Sequence, residues 1–286
     1  MVSKDYLLSG FADEIDGDLD KQIRVLKDLG MSYVEFRSAY GKNVSDYSLD
    51  EAMEIKNKLD ANGIKVSSIG SPIGKIDIEG DLEEHFKLFT HVVDLAKLFE
   101  SKYIRMFSFY TPQGEDPEDY REKIIKQLKK MIAHAKEQGV ILLHENEKGI
   151  YGETIDRCKG LMEDLYCDNF KQILDFANFV QADEDPLEAY HELKPYIEYI
   201  HVKDARKDNH QVVPPGHGDG HLAEVVALLK KDNYKGFYSL EPHLQHFEGL
   251  DKLEREGDKS VVGSDIGDGE LAFTLAHKEF VKILEG

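Results

Sequence analysis

Eight short runs rich in apolar and β-branched residues alternate with longer amphipathic segments along the whole chain. The short runs begin at Tyr6 (YLLSGF), Tyr33 (YVEFR), Lys65 (KVSSIG), Tyr103 (YIRMFSF), Val140 (VILLHEN), Lys171 (KQILDF), Ile197 (IEYIHVK) and Gly236 (GFYSLE). Successive starts lie 26 to 39 residues apart, which leaves room for one strand, one helix and two loops. The segments between them carry helix punctuation. Ser48-Leu49-Asp50-Glu51 forms a capping box for a helix that stops at Gly63. A second helix runs from Asp18 to Gly30, and a third opens at Pro117-Glu118-Asp119 and closes at Gly139. Between Asp81 and Glu100, Phe86, Phe89, Val92, Val93 and Leu95 recur with a 3.6-residue period.

Strict βα alternation implies parallel strands joined by helical crossovers, and eight such units close a barrel. The predicted fold class is therefore α/β, a (β/α)8 TIM barrel. No Ser/Gly/Pro-rich linker interrupts the series, so residues 1–286 read as a single domain. An open doubly wound sheet would usually carry a glycine-rich dinucleotide loop after its first strand. Here that position holds Gly10-Phe11-Ala12-Asp13-Glu14, without the motif.

Composition narrows the partners. With 36 Lys and Arg against 56 Asp and Glu, the net charge is −20. Such a surface repels phosphates unless a basic patch intervenes, and the densest basic stretch, Lys123 to Lys130, reads as the polar face of a helix. No nucleic-acid partner is expected. The longest apolar run, Val225 to Leu229, is far below the roughly 18 residues of a membrane span, so no membrane partner is expected either. The first residues carry no apolar signal core. The two cysteines, Cys158 and Cys167, form neither a metal pair nor a disulfide framework. A cytoplasmic location follows as the expectation, with a homo-oligomer compatible.

The active site of such a barrel lies at the carboxyl ends of its strands. Four consecutive strands end in a potential ligand: Glu145 after Val140-Ile141-Leu142-Leu143-His144, Asp175 after Ile173-Leu174, His201 after Tyr199-Ile200, and Glu241 after Ser239-Leu240. Taken singly, acidic residues after a strand often cap the next helix. Together, three carboxylates at one face would repel, and a divalent cation removes that repulsion. Three carboxylates and one imidazole suit Mn²⁺, Mg²⁺ or Co²⁺ with open positions, and Zn²⁺ is admissible.

With these residues identified, the chain resembles the xylose-isomerase-like barrels of sugar phosphate isomerases and epimerases. That family includes ketose 3-epimerases, hydroxypyruvate isomerases and inosose dehydratases, and endonuclease IV-type nucleases share the fold. The resemblance spans nearly the whole chain. It is carried by Leu143-His144-Glu145-Asn146, Leu174-Asp175, His201-Val202-Lys203-Asp204, the loop Pro215-Gly216-His217-Gly218-Asp219-Gly220, and Leu240-Glu241-Pro242-His243. It implies that Glu145, Asp175, His201 and Glu241 hold one divalent metal ion, and that Glu145 and Glu241 also move protons. Departures from the pattern concern substrate contacts. Asn178 stands where ketose 3-epimerases have a histidine, and Arg206 and Lys207 stand where they have an arginine. The histidines that would complete a three-metal nuclease site are missing after strands two and three.

Further candidate substrate contacts come from position. Glu35 and Arg105 are charges inside strands two and four; they read either as an internal ion pair or as groups for sugar hydroxyls. His243 follows Glu241 by two residues and points the same way. His217 sits in a glycine-rich loop able to approach a ligand closely, with Asp219 as a group that could orient a ligand histidine. Lys203 keeps open a hydride-shift mechanism of the xylose isomerase kind. The loop Gly70-Ser71-Pro72-Ile73-Gly74-Lys75 could cradle an anion, although an ordinary surface loop accounts for it as well. His144 should face away from the mouth. The expected function is a divalent-metal-dependent isomerase or epimerase acting through an enediolate on a small sugar, sugar phosphate or related polyhydroxy carbonyl compound. An inosose-type dehydratase is the alternative, ahead of an endonuclease IV-like nuclease or a non-catalytic sugar-binding barrel.

Overall fold

The computed structural model describes residues 6–247 and 267–286. Eight strands, β1 Leu7–Gly10, β2 Tyr33–Phe36, β3 Lys65–Gly70, β4 Tyr103–Met106, β5 Ile141–Glu145, β6 Phe170–Asp175, β7 Ile197–Val202 and β8 Phe237–Leu240, form one sheet. Each begins within one residue of the position read from the pattern. Their order is β1-β8-β7-β6-β5-β4-β3-β2, every pairing is parallel, and β1 lies beside β2 to bring the sheet nearly closed. The result is the TIM barrel expected from eight βα units.

The helices end where capping chemistry ends them. In α2 (Leu49–Ala61), Ser48 accepts from the Glu51 N–H while Glu51 reaches back to Ser48, the predicted capping box. Asp18 caps α1 (Leu19–Asp28) and Asp81 caps α3 (Leu82–Leu98). The Pro117 segment opens as a 3-10 turn, Pro117–Tyr120, before α4 (Arg121–Gln138), which stops at a left-handed Gly139. α5 spans Ile155–Leu165. After β6 the expected single helix is two: α6 (Phe176–Gln181) ends before Asp183 at positive φ, and Asp185-Pro186 starts α7 (Pro186–Leu193). α8 covers Leu222–Lys231 and α9 Gly269–Glu285. Among the described residues no helix is long and apolar enough to cross a membrane.

Strand alternation sorts the side chains. Outward residues such as Leu142, Leu174, Ile200 and Leu240 join the main core under the helices. His144 also faces outward, where its Nδ1 meets Gln172 Oε1 at 3.2 Å. Burial pushes its pKa down to about 4. Inside the barrel, Ile141, Leu143, Ile173 and Tyr199 pack with Tyr103 and Phe237 toward the amino ends of the strands. Continuing the same period carries Glu35, Arg105 and His201 upward, then Arg37, Glu145, Asp175, Lys203 and Glu241 at the carboxyl ends. All eight are buried.

Candidate metal centre

The four strand ends converge. One ligand atom from each of Glu145, Asp175, His201 and Glu241 lies within 4.8 Å of the others, and all four side chains are buried. Register explains the convergence: Asp175 pairs with His201 across β6 and β7, and His201 with Ser239, two residues before Glu241. His201 Nδ1 lies 2.7 Å from Glu145 Oε1 and 3.4 Å from Glu241 Oε2. Its ring is held edge-on between Phe11 and Tyr199.

Asp175 does two jobs. Its Oδ1 accepts the Asn178 N–H at 2.8 Å and caps α6, while its buried Oδ2 has no hydrogen-bond partner and faces Lys203 Nζ at 3.2 Å. Asn146 clamps the backbone behind it, donating to the Asp175 carbonyl and accepting its N–H, both at 3.0 Å. The Asp175 carboxylate is thus charge-balanced by Lys203. Its place among three other oxygen and nitrogen donors fits a hard divalent cation.

On the far side of the imidazole, Nε2 meets Glu35 Oε2 at 3.2 Å. A proton on Nε2 donated to Glu35 leaves Nδ1 free as a ligand, the usual carboxylate support of a metal-binding histidine. Glu35, which the sequence reads either as a member of an internal ion pair or as a sugar contact, is fully buried beneath His201 and paired with it.

Cations surround the carboxylates. Arg105 reaches Glu145 Oε2 at 3.2 Å and Glu241 Oε1 at 3.5 Å. Lys203 lies 3.4 Å from Glu241 Oε2. Burial raises the Glu145 and Glu241 pKa values, but His201 and Arg105 at Glu145, and Lys203 and His201 at Glu241, overcome it and hold both below the usual range. Burial pushes Asp175 up to about 7. Burial pulls His201 down, yet Glu145 and Glu35 outweigh it, so its pKa stands well above the ordinary histidine value.

The remaining sequence candidates separate. His243 belongs to the site: its Nε2 lies 3.6 Å from Glu241 Oε1 and 3.5 Å from Glu14 Oε1, and neither ring nitrogen has a hydrogen-bond partner. Asn178 is buried nearby, but its side-chain amide is spent on the Asn146 carbonyl at 2.9 Å. Arg206 is exposed at the start of the turn joining Asp204–Ala205 to Val212–Val213. His217 is exposed as well, with its Nε2 3.5 Å from Glu279 of α9. Asp219 is exposed and accepts the Lys207 N–H rather than orienting a histidine. Asp204 organises that loop instead, taking N–H bonds from Gly216, Gly218 and Gly220 at 2.8, 2.9 and 3.0 Å.

Three residues escaped the sequence reading. Arg37 is buried among Asp13, Glu14 and Glu241, at 2.7, 3.3 and 2.9 Å. The period-2 register Tyr33, Glu35, Arg37 carried the signal for Arg37. Asp13 and Glu14 lie on a 3-10 turn, Ala12–Glu14, beyond β1, where no strand period reaches. Burial pushes Glu14 up to about 6.

A family model described as xylose isomerase-like TIM barrel matches residues 23–258. The chain belongs to this family. Inosose dehydratase from Clostridium perfringens is 25% identical over 259 residues, covering 82% of this chain and 78% of that protein. A structure of the IolI protein with a zinc atom bound superposes with a TM-score of 0.74 at 18% identity, covering 98% of both chains. A structure of L-ribulose 3-epimerase superposes with a TM-score of 0.75 at 18% identity, covering 98% of this chain and 95% of that one.

For this member of the xylose isomerase-like family the pKa shifts set a pH dependence for metal uptake. Below about 7, Asp175 carries a proton that an incoming cation must displace, and His201 carries another. The apparent affinity for Mn²⁺ is therefore expected to rise at least about tenfold from pH 6 to pH 7. Calorimetry in buffers of different ionisation heat should count about two protons released per ion at pH 6. An affinity unchanged between pH 6 and pH 8 would contradict these proton loads.

Proposed function

We propose that this chain is a divalent-metal-dependent enzyme that removes a proton next to the carbonyl of a small polyhydroxy compound, forming an enediolate. Proton return then gives the isomer or epimer. The observation that carries the reading is the convergence of three carboxylates and one imidazole at the carboxyl face of the barrel. The residues that would hold the ion are Glu145, Asp175, His201 and Glu241. When bound, such an ion supplies Lewis-acid polarisation of a carbonyl and its neighbouring hydroxyl.

The chain's own groups account for the remainder. Glu145 and Glu241 approach the centre from β5 and β8, two strands on different sides of the cluster, so one can take the proton and the other return it. His201 and Arg105 keep Glu145 ionised, and Lys203 and His201 keep Glu241 ionised. Glu35 fixes the His201 ring, and burial of the whole set excludes bulk water, which strengthens each of these charges.

A second reading is dehydration, which starts with the same proton removal and then expels the hydroxyl on the next carbon as water. It is supported by the likeness to inosose dehydratase and by His243 beside Glu241, whose buried Nδ1 has no hydrogen-bond partner and could hydrogen-bond a departing hydroxyl.

Purified, metal-loaded protein incubated in heavy water with ketoses, inososes and hydroxypyruvate, followed by NMR, tests the proposal. Isomerisation or epimerisation should place solvent deuterium at the carbon that changes, and dehydration should give an unsaturated product. A product without solvent deuterium, from an enzyme that Lys203→Met inactivates while Glu145→Gln affects it only through metal loss, would replace the glutamate pair by a hydride shift.

A further inference from the structure

Beyond β8 the chain turns sharply at His243. Its backbone has a φ of +44°, in the left-handed region where a residue with a Cβ is strained and persists only if its surroundings hold it. What holds it comes from the other end of the chain. Glu14, on the turn after β1, accepts the His243 backbone N–H on Oε2 at 2.7 Å, and its Oε1 lies 3.5 Å from the ring Nε2. One buried carboxylate therefore grips both the backbone and the ring of the same residue. Leu244 then packs with Val212, Ala272 and Ala276, and Phe247 lies against the His243 ring at 5.4 Å.

Glu14 also meets Arg37, at 3.3 Å, but that contact is the loosest of three. Asp13 and Glu241 hold the same guanidinium at 2.7 and 2.9 Å. Two carboxylates already outnumber one guanidinium, so charge balance does not call for a third. Burying a further carboxylate is costly unless its own bonds repay it. The shortest bond Glu14 makes is the one to His243.

The grip makes the two ring nitrogens of His243 unlike. Nε2 stands between Glu14 Oε1 at 3.5 Å and Glu241 Oε1 at 3.6 Å. Two carboxylates at one ring nitrogen keep a proton on it, and the state of the other nitrogen follows from that. Nδ1, across the ring, is buried and has no hydrogen-bond partner. A buried polar atom left alone costs free energy. A hydroxyl of a molecule bound beside Glu241 would satisfy it.

We propose that Glu14 is a positioning residue: it locks His243 with Nε2 turned to Glu241 and leaves Nδ1 to hydrogen-bond a hydroxyl of the substrate held at the metal centre. The proposal rests on the metal-centre reading and adds to it the residue that sets one substrate contact. It serves isomerisation, epimerisation and dehydration alike, since each starts from a carbonyl with a hydroxyl on the next carbon.

The test observes the histidine rings by ¹⁵N NMR of the magnesium-loaded full chain, with the His243 signals assigned by their loss in His243→Gln. The unaltered protein should show a slowly exchanging Nε2–H at His243. Glu14→Gln, an uncharged amide with one acceptor fewer, should lose it. Titration with fructose, scyllo-inosose and hydroxypyruvate should shift Nδ1 with at least one of the three. Glu14→Gln and His243→Gln should each weaken the Kd of that probe by about fivefold to tenfold. The double variant should be no weaker than the weaker single one, because Glu14 acts through His243. An Nε2–H that survives Glu14→Gln, an Nδ1 that none of the three probes moves, or losses that multiply in the double variant would each overturn the proposal. The Nε2–H and the Nδ1 response of the unaltered protein decide it even where Glu14→Gln does not fold. Magnesium content and turnover of the same samples separate the readings. A chain that loads the ion and turns a probe over without moving Nδ1 fails the positioning role alone; one whose Nδ1 responds but which binds no ion fails the metal centre alone.

Discussion

Glu145→Gln is expected to lower turnover by about 10²–10⁴-fold while changing substrate affinity little. The amide keeps the shape of the carboxylate and can still offer an oxygen to a cation, but it cannot accept the proton. Glu145 sits 2.7 Å from His201 and 3.2 Å from Arg105. Both keep it ionised, and both would remain around the amide, so the fold should survive. Because Glu145 is also a proposed ligand, metal content must be measured in the variant and turnover compared at equal loading. Glu241→Gln should behave in the same way. A Glu145→Gln protein with full metal and near-normal turnover would remove Glu145 from the proton path.

Arg37→Met should be the most damaging single change to stability. Arg37 is 1% exposed and its three bonds go to three different carboxylates. Methionine retains apolar volume between Phe11 and Phe247 but leaves Asp13, Glu14 and Glu241 facing one another. Removing one side of a buried ion set costs about 3–5 kcal/mol, read as a fall in unfolding temperature of roughly 10 °C at pH 7. Acid should soften the loss. Glu14 already titrates at about 6 because of its burial, and without Arg37 its proton is held more tightly still, so one of the three repelling charges disappears as pH falls through that range. A divalent ion taken up by Glu241 should also recover part of the loss. A change below about 1 kcal/mol at pH 7, with or without metal, would show that these carboxylates do not depend on Arg37.

Much of this centre was legible in the chain because two periods with different lengths coexist in it. The strand period of two runs through Val140-Ile141-Leu142-Leu143-His144-Glu145 and sends Glu145 inward and His144 outward, as the structure shows. Helix punctuation at Ser48-Glu51, Asp18 and Gly139 set the spacing that makes eight strands. Four ligand types at the ends of four neighbouring strands then needed no contact information to be grouped. Periodicity stops where regular structure stops. Arg206 and His217 follow β7 in sequence, but the turn of the Asp204–Val213 hairpin and the loop tied to Asp204 take them to the surface. Glu35 was placed on the inner face of β2 with an internal ion pair as one reading, and the structure pairs it with His201. Two residues separate Glu35, beneath His201, from Arg37, and depth depends on the stagger of the barrel, which a single strand does not reveal. Asp13 and Glu14 belong to a turn tied by its side chains to Arg37, Ser38 and His243, contacts that no strand period reveals.

The central claim is that Glu145, Asp175, His201 and Glu241 form one metal centre. Its most direct test is the metal content of the unaltered chain and of a His201→Ala, Glu241→Ala double variant. Each is loaded with Mn²⁺ or Zn²⁺, dialysed, and measured by elemental analysis against protein concentration. The account predicts about one ion per chain in the former and essentially none in the latter, since losing two of four ligands should weaken binding by roughly 6 kcal/mol or more. Full occupancy in the double variant would contradict it.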